Sequence, residues 1–188
     1  MDPSRRPYVE VGVAWVPVRE GYAADEDLPE REVYRGRGYH LIGDVAVLHG
    51  DAPTKEELAA IVEHCRPRGV VRVKGFLSEM RIPETEILYG VAGEVRHREQ
   101  GCTFFLDPTR VMFAQGNRNE KARIAALVRP GERIADMFSG IGYFTIPAAM
   151  SGGRVHAMEI NPIAFEYLQR NIMANHLAER VAGELGDC

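Results

Sequence analysis

The sequence is poor in cysteine and tryptophan: its 188 residues include 3 Cys and 1 Trp. The cysteines, Cys65, Cys102 and Cys188, lie far apart, form no C-x-x-C pair and have no histidine cluster at metal-ligand spacing. This distribution argues against a disulfide framework and against a zinc site. We therefore expect a protein without a bound metal.

Long apolar runs and an excess of basic residues are also missing. No window reaches the length of a membrane span, and the N-terminus lacks the uninterrupted apolar segment of a secretory signal, so we expect a cytoplasmic protein with no membrane partner. The formal charge of -4 provides no overall attraction to nucleic acids. Any RNA contact would therefore require local basic patches.

The first half of the sequence predicts an N-terminal arm and a small α+β domain. Residues 9–18 alternate in polarity as a strand does, and a polar, Gly-rich segment continues the arm to residue 38. In residues 39–101 we predict two short strands around Gly43-Asp44. A helix follows, with Thr54 as N-cap and Glu57 completing a capping box. Further strands are predicted at 69–76 and 84–91.

From residue 102 the pattern changes to alternating strands and helices. A strand and turn are predicted over 102–113, and a helix over about 119–128 with Ile124, Ala125 and Leu127 as its apolar face. Next come a strand, a Gly-rich turn, a helix, a strand and a helix, at 133–137, 138–142, 143–150, 154–159 and 163–176. This order is typical of a parallel α/β sheet.

The segment "DMFSGIG", residues 136–142, places two glycines between a predicted strand and a predicted helix. Gly140 and Gly142 would let the backbone turn sharply and approach a ligand, while the helix N-terminus offers free N–H groups. The alternative for this segment alone is a tight strand-to-helix turn that binds nothing.

Acidic residues at predicted strand ends favour a nucleoside ligand. Glu159 follows the turn by about 20 residues, the position from which a carboxylate accepts hydrogen bonds from ribose hydroxyls. Asp136 occupies the position of the first glycine of a dinucleotide motif, where it would repel a diphosphate but help to hold a cationic ligand and to order the loop. We therefore infer S-adenosylmethionine as the co-substrate. Asp187 is expected to accept a hydrogen bond from the adenine amino group, the alternative being a solvated loop residue.

The segment from Gly101 to Leu177, "GCTFFLDPTRVMFAQGNRNEKARIAALVRPGERIADMFSGIGYFTIPAAMSGGRVHAMEINPIAFEYLQRNIMANHL", resembles a known group of tRNA-modifying enzymes. These are the methyltransferases and aminocarboxypropyltransferases that act on the purine 3′ of the anticodon. The resemblance implies a class I S-adenosylmethionine-dependent, Rossmann-like sheet domain preceded by a small α+β domain. Residues 102–188 would be its N-terminal half, with the C-terminal half absent. We therefore expect a fragment of a longer protein.

One short segment separates the two branches of this group. The methyltransferases usually carry Pro-Arg where this sequence has Gln115-Gly116-Asn117. The sequence is more similar to the archaeal-type wybutosine-synthesis enzymes, which transfer the 3-amino-3-carboxypropyl group to a tricyclic guanine derivative in phenylalanine tRNA. Methyl transfer to guanine N1 remains an alternative. A non-catalytic RNA-binding protein with a relic cofactor turn is a second one.

The resemblance adds further candidate site residues. It implies cofactor contacts at Lys121, Asn117 and Cys188. Lys121 would pair with the cofactor carboxylate; the alternative is a solvated cation that pairs with Glu120 or another neighbour. No catalytic residue is assigned. Candidate contacts to tRNA phosphates are the basic side chains of the small domain and of the segment after it: Arg66, Arg68, Arg72, Lys74, Arg96, His97, Arg98, Arg110, Arg118 and Arg123.

Overall fold

A computed structural model of the chain describes residues 8–10, 13–26 and 34–187. It divides into two compact units, Met1–Arg35 and Gly36–Cys188. Across the described residues, no helix is both long and apolar enough to cross a membrane. In the first unit, β1 (Tyr8–Glu10) pairs antiparallel with β2 (Val13–Trp15). The prediction of one continuous strand over 9–18 was wrong, because Glu10 pairs with Val13 and the chain reverses between them.

The second unit begins with a four-stranded sheet and one helix. Its elements are β3 (His40–Ile42), β4 (Val45–His49), α1 (Lys55–Cys65), β5 (Gly69–Leu77) and β6 (Ile82–Gly90), and the strand order is β3-β4-β5-β6. Strands β4 and β5 are parallel, and the other neighbours are antiparallel. The predicted capping box of α1 is confirmed: the Glu57 N–H donates to Thr54 Oγ1, and the Thr54 N–H donates to the Glu57 carboxylate.

An antiparallel ribbon of two strands follows, β7 (Val95–Glu99) and β8 (Cys102–Leu106). Its inner face is apolar and buried at Val95, Cys102, Phe104 and Leu106, and it also carries the buried Glu99. Arginines occupy alternate positions on its outer face. β7 was not predicted as a strand, because three of its five residues are charged.

The chain ends in a parallel βαβαβ arrangement. A 3-10 helix (Gln115–Asn117) leads into α2 (Arg118–Leu127), followed by β9 (Arg133–Asp136), α3 (Thr145–Met150), β10 (Arg154–Glu159), α4 (Pro162–Ala174) and β11 (Val181–Leu185). The strand order is β11-β10-β9, and both pairs are parallel. The predicted α/β class with a parallel sheet is therefore confirmed.

Helix α2 differs from its prediction in the face that it buries. Leu127 is 64% exposed and Ile124 and Ala125 are half-buried, whereas Lys121 is the buried side chain of the helix, at 1%. The predicted apolar face was therefore wrong with respect to Leu127.

Two asparagines, Asn171 of α4 and its C-cap Asn175, bind the free edge of β8. Asn171 accepts from the Phe105 N–H through Oδ1 and donates through Nδ2 to the carbonyls of Phe105 and Ile141. Asn175, one turn later, makes the same pair of bonds with the N–H and carbonyl of Thr103. These amides fix α4 to the ribbon in a definite register.

Buried residues from both parts of the second unit form one hydrophobic cluster. It includes Val47 and Val71 from the four-stranded sheet, Phe104 from the ribbon, and Ile146 and Leu168 from the helices beside the parallel sheet. The division between 101 and 102 stays a prediction.

Candidate cofactor site

A cavity of 150 Å³ lies where β9 and β10 end and the following helices begin. Three of the predicted residues line it: Gly140, Glu159 and Asp187. The position follows from the parallel arrangement, because parallel strands bring their carboxyl ends to one edge of the sheet, where α/β proteins bind ligands.

Glu159 is the acid at the centre of this edge. Its side chain is largely buried, with Oε2 accepting from the Gly140 N–H at 2.6 Å and Oε1 accepting from the Asn161 N–H at 2.8 Å. A carboxylate oxygen accepts two hydrogen bonds, so each oxygen retains acceptor capacity toward the cavity. The two internal bonds hold the carboxylate in place, which favours recognition of a diol.

The two glycines of the turn serve different purposes. Gly142 has φ +100° and is tightly packed, since a Cβ there would lie 2.9 Å from Ile146 Cγ1 and 3.1 Å from Leu168 Cδ1. Gly140 has φ +54°, and a Cβ there would meet nothing closer than Tyr143 Cδ2 at 3.7 Å. Gly142 therefore packs the turn onto the helices, whereas Gly140 faces open space at the cavity.

Asp136 orders the turn through a side-chain contact. Its Oδ2 accepts a hydrogen bond from the Thr145 hydroxyl at 2.6 Å, and Thr145 is fully buried in the first turn of α3. Asp136 does not line the cavity. The contact ties the end of β9 to the start of α3 on either side of the glycines.

Lys121 is part of a buried ion pair behind the cavity wall. Its Nζ lies 2.6 Å from Glu99 Oε2, and the two side chains are 1% and 3% exposed. The ammonium also lies 4.9 Å from the ring centroid of Tyr143, which lines the cavity, and 5.3 Å from that of Phe113. The other Glu99 oxygen pairs with Arg118 Nε at 3.1 Å. Glu120 instead pairs with Arg123, so the neighbour of Lys121 is Glu99.

Two aromatic side chains around this pair have perturbed titration. Burial raises the pKa of Tyr143 well above its usual value; its hydroxyl donates to the Met112 carbonyl and accepts from the Ala114 N–H. Burial also lowers the pKa of His97, whose Nδ1 accepts the Gly43 N–H at 3.2 Å. His97 is therefore neutral near pH 7 and cannot supply the positive charge that a phosphate contact requires.

The cavity has a second wall that the sequence did not predict. Glu79, Met80 and Arg81, from the turn between β5 and β6, line it opposite the glycine turn. Asn161 connects the two walls, because its Nδ2 donates to the Met80 carbonyl at 3.0 Å while its Oδ1 caps α4 by accepting from the Ile163 N–H. The dipeptide Asn161-Pro162 is a helix-start signal in the sequence, but nothing in the sequence indicates the contact with Met80.

The structure thus separates the predicted site residues into groups. Four of the predicted residues are near the cavity-lining residues in sequence but do not line the cavity themselves: Asn117, Lys121, Asp136 and Gly142. Cys188 lies outside the described residues. Cofactor contact at these five positions stays a prediction.

The sequence comparison identifies the family. Residues 95–188, half of the chain, match the model of the TRM5/TYW2 methyltransferase domain. The chain belongs to the TRM5/TYW2 family. The resemblance that its sequence indicated is confirmed, and the glycine turn, Glu159 and the Lys121–Glu99 pair all lie within the matched TRM5/TYW2 segment.

Relatives of this TRM5/TYW2 chain come from both branches of the family. The tRNA(Phe) (4-demethylwyosine(37)-C(7)) aminocarboxypropyltransferase of Methanocaldococcus jannaschii is 39% identical over 145 residues, 76% of this chain and 58% of that protein. The crystal structure of M. jannaschii TYW2 in complex with AdoMet has a TM-score of 0.60 at 34% identity, covering 80% of this chain and 57% of that one. Trm5b from Pyrococcus abyssi has a TM-score of 0.68 at 31% identity, covering 80% and 47%. The chain therefore spans less than two thirds of the length of these relatives.

Proposed function

We propose that this chain is the part of an aminocarboxypropyltransferase that binds S-adenosylmethionine in wybutosine synthesis. The acceptor would be the tricyclic guanine derivative next to the anticodon of phenylalanine tRNA. The observation that carries the proposal is the fixed Glu159 carboxylate beside Gly140 at the edge of the parallel sheet. A tRNA substrate would place the reaction in the cytoplasm.

The residues at the cavity fit S-adenosylmethionine. Glu159 presents acceptors to the ribose hydroxyls, and the open space at Gly140 admits a ligand close to the backbone. Asp187 lines the same cavity after β11 and would accept a hydrogen bond from the adenine amino group. In residues 136–142, Asp136 stands where a dinucleotide motif has its first glycine, and this acid together with Glu159 favours a cationic nucleoside over a dinucleotide.

S-adenosylmethionine supplies carbons already activated by the sulfonium, so the contribution of the protein is mainly placement. Tyr143 and Met112 contribute one wall of the cavity, and the Tyr143 hydroxyl donates a hydrogen bond to the Met112 carbonyl. Lys121 and Glu99 support the Tyr143 ring from behind. Which carbon faces the acceptor then depends on where these walls hold the amino-acid tail.

Two observations favour aminocarboxypropyl transfer over methyl transfer. The M. jannaschii relative at 39% identity is named as an aminocarboxypropyltransferase, and a human relative, also 39% identical, is a tRNA wybutosine-synthesizing protein 2 homolog. In addition, Gln115-Gly116-Asn117 stands where the methyltransferases usually have Pro-Arg, and it forms the 3-10 helix that starts α2. Methyl transfer is the alternative outcome of the product test.

Cofactor binding can be tested by calorimetry with S-adenosylmethionine. Glu159→Gln should weaken binding by about tenfold or more, because the amide turns a hydrogen-bond donor toward groups that need an acceptor. Glu184→Gln is a matched control: it removes an exposed carboxylate of β11 that pairs with His156. Equal affinity of the two variants, with melting curves showing both folded, would refute the assignment of Glu159.

The transferred group can be identified by mass spectrometry of nucleosides from precursor phenylalanine tRNA incubated with the chain and S-adenosylmethionine. The aminocarboxypropyl and methyl groups differ greatly in mass, so one digest separates the two reactions. A methylated guanine would overturn the proposal in favour of guanine-N1 methylation. Cofactor binding without any product would restrict the role of this chain to binding.

A further inference from the structure

Ion pairing divides the candidate RNA-binding cations into two sets. Arg68 pairs with Asp44, Arg72 and Lys74 with Glu86, Arg118 with Glu99, and Arg123 with Glu120. A cation already paired with a carboxylate has less to gain from a phosphate, because one attraction replaces another. These side chains are therefore weaker candidates for contacts to a nucleic acid.

Arg96 and Arg98 belong to the other set. Both are exposed on β7, and within residues 34–187 neither guanidinium has a hydrogen bond or an ion pair. Successive side chains of a strand point to opposite faces, and Val95 and Glu99 of β7 are buried on the inner face of the ribbon. Arg96 and Arg98 therefore lie on its outer face. Their partners across the ribbon are Phe105 and Thr103.

One paired and one unpaired arginine continue this face toward the cavity. Arg170 of α4 stacks over the Phe105 ring, with its Cζ 4.2 Å from the ring centroid. Arg110, which follows β8 and makes no hydrogen bond or ion pair through its guanidinium within 34–187, lines the same groove as Arg170. Two residues later the chain reaches Met112, which lines the cofactor cavity. The cations therefore follow the path of β8 toward the site.

Most acidic side chains beside these arginines form ion pairs with other arginines. Glu94 borders both the groove of Arg96 and Arg98 and the groove of Arg110, and it pairs with Arg170 at 2.6 Å. Asp44, in the first groove, pairs with Arg68 at 3.0 Å. Glu166, in the second groove, is the exception: it is exposed and has no pairing cation in the described chain.

The geometry points to the outer face of the β7–β8 ribbon, with Arg96, Arg98 and Arg110, as the surface that binds the phosphate backbone of the RNA substrate. This inference rests on the proposed function, since it takes tRNA as the partner. The surface carries unpaired guanidiniums in a protein whose net charge is -4. Binding is therefore local and strongly dependent on salt.

The test measures binding of an unmodified transcript of phenylalanine tRNA to the chain over a range of salt concentrations. Each phosphate contact contributes about 0.7 to 0.9 to the slope of log affinity against log salt concentration. The double variant Arg96→Gln with Arg98→Gln loses two contacts and should therefore bind roughly 25- to 60-fold more weakly at 0.1 M salt than the unaltered chain. The salt slope should fall by about 1.4 to 1.8. Glu166→Gln should strengthen binding.

The matched control is Arg133→Gln with Arg154→Gln. These exposed arginines begin β9 and β10, at the edge of the sheet opposite the cavity. The control changes the net charge equally, so it should alter the salt slope much less. An equal loss of affinity in both double variants would show a non-specific charge effect and overturn the proposal. The proposal is also overturned if neither variant changes the tRNA affinity, or if the unaltered chain does not bind tRNA.

Calorimetry with S-adenosylmethionine on the same proteins separates this inference from the proposed function. The Arg96 and Arg98 double variant should bind the cofactor as the unaltered chain does. If the unaltered chain binds tRNA through these arginines but does not bind S-adenosylmethionine, the surface stands and the proposed function fails. If it binds the cofactor while the tRNA affinity is insensitive to both arginines, the surface is refuted and the cofactor assignment stands.

Discussion

Replacing Lys121 with methionine tests the buried ion pair behind the cavity. The substitution keeps much of the side-chain volume but leaves the Glu99 carboxylate, which is 3% exposed, without its 2.6 Å partner. Removing one member of a buried pair costs about 3 to 5 kcal/mol. Arg118 remains 3.1 Å from the other Glu99 oxygen, so the lower end of that range is expected.

Urea unfolding followed by circular dichroism measures this cost. A loss of about 3 kcal/mol corresponds to a fall in melting temperature of about 6 to 12 °C for a chain of this size. The double variant Lys121→Met with Glu99→Met should regain most of the loss, because it removes both buried charges and leaves Arg118, which is 60% exposed, in water.

Arg123→Met provides the comparison on the same helix. Arg123 pairs with Glu120 at 2.6 Å, but both side chains are largely exposed, so the substitution should leave the unfolding free energy nearly unchanged. The reasoning is refuted if Lys121→Met costs less than about 1 kcal/mol, or if the double variant is as unstable as the sum of the two single variants.

Three further perturbations test the turn, the helix contact and the buried histidine. Gly140→Ala should cost about 1 to 2 kcal/mol, because alanine must adopt a left-handed backbone there. Gly142→Ala should cost more, because its Cβ would in addition lie 2.9 Å from Ile146. Melting curves of the two variants measure the difference. Asn171→Ala should cost about 3 kcal/mol or more in urea unfolding, because it leaves backbone groups of Phe105 and Ile141 without their partner. Asn175→Ala should cost less: the Asn175 side chain also makes three hydrogen bonds, but Asn175 is half-buried whereas Asn171 is fully buried. Because the pKa of His97 is lowered in the folded protein, His97 binds a proton more readily in the unfolded state. The contribution of neutral His97 to the unfolding free energy is therefore fully present above about pH 6.5 and is lost as the pH falls below it, by at most about 1.4 kcal/mol per pH unit. His97→Gln should remove this pH dependence, and an unchanged pH profile would contradict the reasoning.

The sequence predicted the parallel half of the fold closely because its signals are local. β10 occupies the predicted residues 154–159, and α4 begins at Pro162, directly after its capping asparagine. The N-terminal strand was misread for the opposite reason. Alternation over 9–18 is compatible with one strand or two, and only the pairing of Glu10 with Val13 decides between them.

The site was predictable where strand ends define it and not where distant segments meet. Glu159, Gly140 and Asp187 follow from the positions of the strands and line one cavity. The environment of Lys121 depends on Glu99, which precedes it by 22 residues, and the second wall depends on a turn 81 residues before Asn161. No periodicity in the sequence reports contacts of that range.

Asn171 and the C-cap Asn175 of α4 have a consequence for the solubility of the chain. A two-stranded ribbon normally exposes a row of backbone N–H and carbonyl groups to which a strand of another molecule can add. On β8, Thr103 and Phe105 already have both groups bonded to side-chain amides, with Asn175 and Asn171 taking the place of a neighbouring strand. The helix therefore closes this edge to intermolecular pairing, and its loss would create a template for aggregation in the centre of the protein.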